Sequence, residues 1–301
     1  MSFTYEVKDE VSKLDYSEAE RISELSAISG YFYDDNMIRV VTENGSVARR
    51  IYSLFKDLLN INPFVSVRRG YNYNKKMLYV LEVRKVTDGM IKFLGIEKSI
   101  PEDFIWADED LIRAYLRGLF LICASVNDPK KSRYHLEFNI KNKEFALFVQ
   151  ELLNKFSLNS KVLHRDNSYM VYIKEAEKIG DFLRIIGAVK AVLYYEDIRI
   201  YRDHKNMTNR LNNCEQANVD RAIETANNLI KDIEFIEETC GLELLGEKEK
   251  EAAQYRVKYP DATLMELSYI ISVETGVKIT KSGLYHRLNK IKKFANKLRE
   301  K

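Results

Sequence analysis

The hydrophobic pattern near the C-terminal end of the chain predicts three consecutive helices. The first, Leu245 to Tyr259, ends before Pro260, because the residue before a proline avoids the α region. The second is predicted to begin at Thr263, which can form a capping box with Glu266. In the third, apolar residues recur at intervals of three and four and therefore share one face. The residues of this apolar face are Leu284, Leu288, Ile291, Phe294, Ala295 and Leu298.

The opposite side of the third helix carries polar and basic side chains. Gly276 breaks the pattern before this helix, and Thr280 is its predicted N-cap. Cations suit phosphates, and amide and imidazole groups suit base edges, so the two helices and their connection predict a helix-turn-helix that binds DNA. The residues predicted to contact DNA are Lys281, Ser282, Gly283, Tyr285, His286, Arg287, Asn289, Lys290 and Lys293. An all-helical module that binds a partner protein is the alternative.

The charge distribution agrees with a polyanionic partner. Residues 278–301 hold nine Lys or Arg and one acid, Glu300, a net charge of +8. Since the whole chain carries +3, the other 277 residues sum to −5. Positive charge concentrated on one helical segment favours nucleic-acid binding over general solubility.

Length and composition limit the remaining classes of protein. With 301 residues, 46% of them hydrophobic, the chain can form about two domains. No signal peptide or membrane-spanning run is predicted, so we expect a cytoplasmic, nucleoid-associated protein without membrane contact. The three cysteines and four histidines are scattered along the sequence. We therefore expect no disulfide bonds, no metal site and no cofactor.

The N-terminal two thirds contain an internal repeat. Helix, strand, strand and helix follow one another in residues 47–96 and again in residues 145–188, and each series is preceded by a helix (17–29 and 111–121) and short strands. The pattern predicts an α+β domain made of a duplicated αββαββα unit, followed by an all-α domain. The predicted boundaries are 1–197 for the duplicated domain (repeats about 1–97 and 108–197), 198–240 for a linker segment with a helix, and 241–301 for the helix-turn-helix domain.

The linker segment is unusually rich in asparagine. Residues 198–218 contain five Asn, which favour caps and turns over helix interiors, so we expect a structured connection in which they cap helix ends, before an amphipathic helix from Gln216 to Glu238. Direct DNA contact is the alternative reading. Cys214 is expected to be a small buried residue. The secondary candidates for contact with DNA or a partner are Lys205, Asn209 and Arg210 here, and Arg49, Arg50, Arg68 and Arg69 in the first repeat, near Lys75, Lys76, Tyr71 and Tyr73.

The chain resembles a known family in several stretches. The segment LRGLF, beginning at Leu116, resembles the start of the dyad-helix motif of LAGLIDADG homing endonucleases. More closely, the chain resembles the WhiA family of bacterial regulators. The matching stretches are VARRIYSLFKDLL from Val47, RAYLRGLFL from Arg113, KNMTNRLNNCEQAN from Lys205 and TKSGLYHRLNKI from Thr280.

The resemblance implies a DNA-binding transcriptional regulator with a degenerate endonuclease-like domain. It also implies a role in sporulation, cell division or chromosome segregation, with another transcription regulator or a cell-division protein as partner. A single pseudo-symmetric chain needs no second copy, which favours a monomer. A nucleoid-associated structural protein is an alternative.

An active endonuclease is a second alternative, and the residues argue against it. Metal-dependent cleavage needs a carboxylate at the end of each dyad helix. Aligned with the motif, those positions hold Gly30 and Phe32 in the first half, and Leu121 and Cys123 in the second. The nearest acids are Asp34, Asp35 and Asp128. We therefore predict a protein without catalytic activity.

Overall fold

The computed structural model describes residues 2–69, 77–97, 100 and 105–300. The chain divides into two compact units, residues 1–203 and 204–301, and each has a hydrophobic core of its own. Within the described ranges, none of the helices has both the length and the apolar character that crossing a membrane requires.

The first unit contains two four-stranded antiparallel sheets, in the orders β1-β2-β4-β3 and β5-β6-β8-β7. Its helices are α1 (Phe3–Val11), α2 (Glu18–Phe32), α3 (Gly45–Leu59), α4 (Asp88–Leu94), α5 (Glu109–Cys123), α6 (Lys143–Lys155) and α7 (Ala176–Ile185). Its strands are β1 (Tyr33–Asp34), β2 (Met37–Thr42), β3 (Phe64–Arg69), β4 (Met77–Arg84), β5 (Ala124–Val126), β6 (Leu136–Ile140), β7 (Lys161–Arg165) and β8 (Ser168–Ile173). The order α2-β1-β2-α3-β3-β4-α4 repeats as α5-β5-β6-α6-β7-β8-α7. The predicted duplicated αββαββα fold is confirmed.

The two halves meet where α2 and α5 pack against each other. Gly118 permits this contact, since a Cβ atom there would lie 2.6 Å from the backbone oxygen of Glu24 and 2.9 Å from the Cβ of Ala27. Ser23 donates a hydrogen bond of 2.7 Å from its hydroxyl to the carbonyl oxygen of Leu111. A glycine at a helix crossing lets two backbones approach more closely than any side chain would permit. The helix pair is therefore the central joint of the unit.

Beside this contact, a buried ion pair joins α2 to α3. The Glu24 side chain is fully buried and accepts two hydrogen bonds from the Arg50 guanidinium, of 3.1 and 2.7 Å. Arg117, which is also buried, stacks on Tyr16 with 3.3 Å between the guanidinium carbon and the ring centroid. Buried charges need this kind of pairing, because removal of one partner leaves the other desolvated.

Helix α1 is an element that the hydrophobic pattern does not predict. Its buried residues, Phe3, Val7 and Val11, are spaced by four and pack into the core of the first unit. The Glu10 carboxylate accepts hydrogen bonds from the backbone amides of Lys190 and Ala191, at 2.7 and 3.1 Å. It thereby caps the first turn of the long helix that begins at Val189. Short acidic helices of this kind gain their stability from tertiary contacts, which a single sequence does not reveal.

The second unit is all α-helical. Its helices are the C-terminal part of α8 (Val189–Cys240), α9 (Glu247–Lys258), α10 (Leu264–Thr275) and α11 (Lys281–Arg299), with a short 3-10 turn at Leu242–Leu244. Its buried core residues are Leu229, Ile233, Ile236, Ala252, Ala253, Leu267, Ile271, Ile279, Leu284, Leu288, Ile291 and Ala295. Arg299 joins α11 to α8 through an ion pair of 2.7 Å with Asp232. The predicted all-α C-terminal region is confirmed.

The asparagine-rich segment differs from its prediction. Instead of caps and turns, residues 198–218 lie inside the continuous helix α8, whose 52 residues cross the boundary between the two units. Cys214 is exposed, not buried. Asparagine lowers helix stability only modestly per residue, so a long helix anchored at both ends can include several of them. The low helix propensity of asparagine predicts caps and turns, but the surrounding helix overrides that local preference.

Candidate nucleic-acid interface

Helices α10 and α11 form the predicted helix-turn-helix. The Thr263 hydroxyl accepts a hydrogen bond from the Glu266 amide, while the Glu266 carboxylate accepts one of 2.8 Å from the Thr263 amide. This backbone hydrogen bond lowers the pKa of the Glu266 carboxyl. Thr280 caps α11 by accepting a hydrogen bond of 3.1 Å from the Gly283 amide. Both predicted N-caps are confirmed.

The connection between these helices is fixed by glycine and serine. Gly276 ends α10 with a φ of 72°, in the left-handed region that only glycine adopts without strain. The Ser272 hydroxyl accepts a hydrogen bond of 2.9 Å from the Ile279 amide and donates one of 2.6 Å to the Ser268 carbonyl. Ile279 is buried in the core. The connection is therefore held at its start, along its backbone and at its end, which sets the direction of α11.

A buried arginine stabilises the turn between α9 and α10. Arg256, only 2% exposed, donates hydrogen bonds from Nη1 to the carbonyl oxygens of Pro260 and Ala262, at 3.2 and 2.7 Å. Burial lowers the pKa of this guanidinium. Its contacts are all with backbone carbonyls of its own unit, so its role is structural.

The inner face of α11 is the one that the periodicity predicts. Leu284, Leu288, Ile291 and Ala295 are buried. The other two predicted members, Phe294 and Leu298, are half-buried and pack against the same core. Because the core fixes this face, the opposite face of α11 is directed to solvent.

The structure brings most of the predicted DNA-contacting residues to that outer face. The exposed ones are Lys281, Ser282, Tyr285, His286, Lys290 and Lys293, and the half-exposed ones are Gly283 and Asn289. The rings of Tyr285 and His286 meet edge to face, with centroids 5.9 Å apart. Lys292, which the motif-based prediction omits, is also exposed, on the flank of the helix one turn after the buried Leu288.

Two predicted cations are paired with acids of α9. Arg287, whose side chain is 18% exposed, forms an ion pair of 3.0 Å with Glu251. Lys290 pairs with Glu249 at 2.8 Å, and this contact lowers the pKa of the Glu249 carboxyl. Lys290 stays largely exposed, whereas Arg287 lies at the edge of the packed face. Any phosphate that approaches either cation would compete with a carboxylate.

The secondary basic residues of the first repeat are spread over two elements. Arg49 and Arg50 lie on α3, and Arg50 is engaged by Glu24 with only 11% of its side chain exposed. Arg68 and Arg69 are exposed on β3, where successive side chains point to opposite faces. The other members of the predicted group, Lys75, Lys76, Tyr71 and Tyr73, lie outside the described residues. Arg49, Arg68 and Arg69 are thus accessible, and Arg50 is a structural residue.

The secondary candidates of the linker segment lie on α8. Lys205, Asn209 and Arg210 are exposed side chains of its middle part, together with the neighbouring asparagines. Lys205 and Asn209 are four residues apart and share one side of the helix, while Arg210 lies at its flank.

The positions at the ends of the dyad helices do not offer the oxygen ligands of an endonuclease. Gly30 and Phe32 close α2, and Leu121 and Cys123 close α5. Cys123 donates a hydrogen bond of 3.3 Å to the Leu119 carbonyl, and burial raises the pKa of its thiol to about 12. This set contains no carboxylate and does not fit Mg²⁺, which prefers oxygen ligands.

The acids nearest to these positions have other places in the fold. Asp34 is exposed on β1, and Asp35 lies in the following turn with a φ of 43°. Asp128 accepts hydrogen bonds from the Lys130 amide and the Tyr194 hydroxyl, at 2.9 and 3.1 Å. Across the described ranges, no three His, Cys, Asp or Glu side chains are grouped so that they could hold a metal.

Comparison with known proteins identifies three domain families along the chain. The WhiA N-terminal LAGLIDADG-like domain matches residues 20–96, the WhiA LAGLIDADG-like domain residues 112–205, and the WhiA C-terminal HTH domain residues 208–295. The similar solved structures include full-length DUF199/WhiA from Thermotoga maritima, with a TM-score of 0.58, 27% identity and 99% of both chains covered. The isolated N-terminal LAGLIDADG domain of DUF199/WhiA gives a TM-score of 0.52 and 26% identity, over 62% of this chain and 90% of that one.

Relatives of similar length give the same result. The probable cell division protein WhiA of Bacillus cytotoxicus is 43% identical, over 99% of this chain and 98% of the relative. The protein of the same name from Staphylococcus carnosus is 40% identical, over 99% of this chain and 98% of its own. The one from Enterococcus faecalis is 39% identical, over 100% of this chain and 99% of its own. The chain belongs to the WhiA family.

Proposed function

We propose that this protein is a non-enzymatic, sequence-specific DNA-binding protein that regulates transcription. The observation that carries the proposal is the outer face of α11, where exposed cations surround hydrogen-bonding side chains on a helix fixed by two caps and a buried core. Lys281, Lys292 and Lys293 would contact phosphates, and His286 and Asn289 would contact base edges. The match to the HTH domain of the family supports the same reading.

The non-enzymatic part of the proposal rests on the residues at the dyad. The positions where an endonuclease places its carboxylates hold Gly30, Phe32, Leu121 and Cys123. We propose that the first unit instead adds phosphate contacts through Arg49, Arg68 and Arg69, or holds a partner such as another regulator or a cell-division protein. The names of the relatives suggest cell division as the process served. The chain would act as a monomer on chromosomal DNA in the cytoplasm.

Loss of single cations from α11 tests the proposal. The full chain would first be used to enrich a preferred fragment from sheared genomic DNA, and its affinity would then be measured against a random duplex over a salt series. We expect Lys293→Ala to weaken binding to both duplexes and to reduce the salt slope by about 0.9. Lys231→Ala, which removes an exposed lysine from α8, is the matched control and should change neither.

Loss of a base-contacting group has a different signature. Asn289→Ala should lower the preference for the enriched fragment by about 1–3 kcal/mol and leave the salt slope unchanged, because an amide is uncharged. If both α11 variants bind as the wild type does, the helix-turn-helix is not the DNA-binding surface. If the wild type binds both duplexes equally, a nucleoid-associated structural role replaces regulation.

A further inference from the structure

The middle of α8 is a free-standing helical stretch. From Asp203 to Asn228 every side chain is exposed, apart from Ala217 and Ala226, which are half-exposed. Only from Leu229 onward does the helix enter the core of the second unit. A helix without a buried face gains nothing from packing, so the side chains of this stretch are not explained by the fold.

Between Lys205 and Gln216, this stretch has one side that consists of amides and a lysine. At 100° per residue, six of the twelve side chains from Lys205 to Gln216 fall within about 60° of Asn209 on the helical wheel. This amide face comprises Lys205, Asn206, Asn209, Asn212, Asn213 and Gln216. It bears no carboxylate between Lys205 and Gln216 and no apolar side chain. The apolar residues between Lys205 and Gln216, which are Met207, Leu211 and Cys214, lie on the opposite side.

The four asparagines of this face do not serve the helix. Asparagine is among the weaker helix formers, and its usual compensation is to cap an end or bind a neighbouring backbone group. These four lie at least 16 residues from either end of α8. In the described ranges, none of the four has a hydrogen-bond partner, whereas Gln216 donates one of 2.9 Å to Asp220. Eight amide donor and acceptor groups are therefore available to a ligand.

We infer that the amide face of α8 is a second base-reading element, which contacts base edges in a groove of double-stranded DNA. This inference rests on the proposed function. The amide of asparagine matches the paired donor and acceptor of adenine in the major groove, and an α-helix fits that groove. Residues 205–216 span about 16 Å, the length of four or five base pairs. The family HTH model begins at residue 208, so most of this face belongs to the same domain as α11.

The composition of the face determines what it contributes to binding. With Lys205 as its one cation, it adds little salt-dependent affinity, and its amides add discrimination among sequences. Asn209 lies 20 residues, or about 30 Å along the helix, from the point where α8 enters the core. The bases that it reads therefore differ from those read by α11, and the binding site is longer than one helix-turn-helix would cover.

Asparagine-to-alanine substitutions in the full chain test this inference without harming the fold. Alanine is the better helix former, so Asn209→Ala and Asn213→Ala should keep or raise the helical circular dichroism signal. With the enriched genomic fragment and the random duplex as probes, we expect each to reduce the preference by about 5- to 100-fold. Binding to the random duplex and the salt slope should not change. Asn228→Ala, in the same exposed stretch but off this face, is the control and should retain full preference.

The outcomes separate this inference from the function on which it rests. If Lys293→Ala weakens DNA binding while Asn209→Ala and Asn213→Ala retain the full preference, the helix-turn-helix is the reader and the amide face is not. If Asn209→Ala and Asn213→Ala reduce binding to both duplexes equally, the inference that this face reads bases is also wrong. If the wild type does not bind duplex DNA, the proposed function and this inference fail together.

Discussion

At the residue scale, two cations of the candidate interface are paired with acids of the same unit. Glu249 and Glu251 on α9 each hold a cation of α11, Lys290 and Arg287 respectively. The pair that involves the largely exposed Lys290 contributes little to stability, since solvent screens it. Their larger effect is on binding, because each carboxylate must be displaced before its cation can contact a phosphate. Under the proposed function, the acids of α9 would thus limit the attraction of the second unit for DNA of any sequence.

Removal of one of these carboxylates should therefore strengthen DNA binding. We expect Glu249→Gln to raise the affinity for the random duplex and to steepen the salt slope by up to about 0.9, because Lys290 becomes free to neutralise a phosphate. Glu238→Gln, which removes an exposed acid from α8, has the same charge change and serves as control. Equal effects of the two substitutions in salt titrations would mean that Lys290 does not contact DNA.

At the element scale, the helix-turn-helix could be predicted because its signals are local. Thr263, Glu266 and Thr280 form caps within three residues, and Gly276 marks a helix end by its own conformational freedom. Helix α1 could not be predicted, since its stability depends on contacts with distant elements. The same holds for the engagement of Arg50 by Glu24, 26 positions apart in the chain. The middle of α8 is helical, although its asparagines predict caps and turns, because its two anchored ends determine its conformation.

The close approach of α2 and α5 at Gly118 makes a specific prediction. We expect Gly118→Ala to lower the free energy of unfolding of the first unit by about 1–3 kcal/mol, because the new Cβ would overlap the Glu24 carbonyl and force the helices apart. Gly89→Ala is the control, since the nearest atom to its new Cβ is 3.9 Å away. Denaturant unfolding measures both, and equal stabilities would show that the helix pair adjusts without cost.

At the scale of the whole molecule, two separate hydrophobic cores imply two separable unfolding events. The single tryptophan, Trp106, packs against the core of the first unit and reports on that unit alone. Circular dichroism reports on helices of both units. Cooperative units that differ in core size and composition seldom share one transition midpoint.

We therefore expect the two probes to give different unfolding midpoints. Arg256→Met should lower the unfolding midpoint of the second unit, which is the transition that circular dichroism detects and Trp106 fluorescence does not. The reason is that it leaves the carbonyls of Pro260 and Ala262 unpaired in that unit. The Trp106 fluorescence transition should not move. A shift of both transitions by the same amount would mean that the two units unfold as one.

The joint between the two halves has a consequence for the way they recognise each other. Gly118 of the second half contacts Glu24 and Ala27 of the first. The contact surfaces of α2 and α5 therefore differ, although the two halves have the same order of helices and strands. Ala27 has the same position in α2 as Gly118 has in α5. If the first half were expressed alone and paired with a second copy of itself, Ala27 would face another Ala27, where only a glycine leaves enough room. The separated halves should therefore complement one another and not pair with themselves. A duplicated chain of this kind can diverge on one side of its joint, whereas a symmetric dimer must carry every substitution twice.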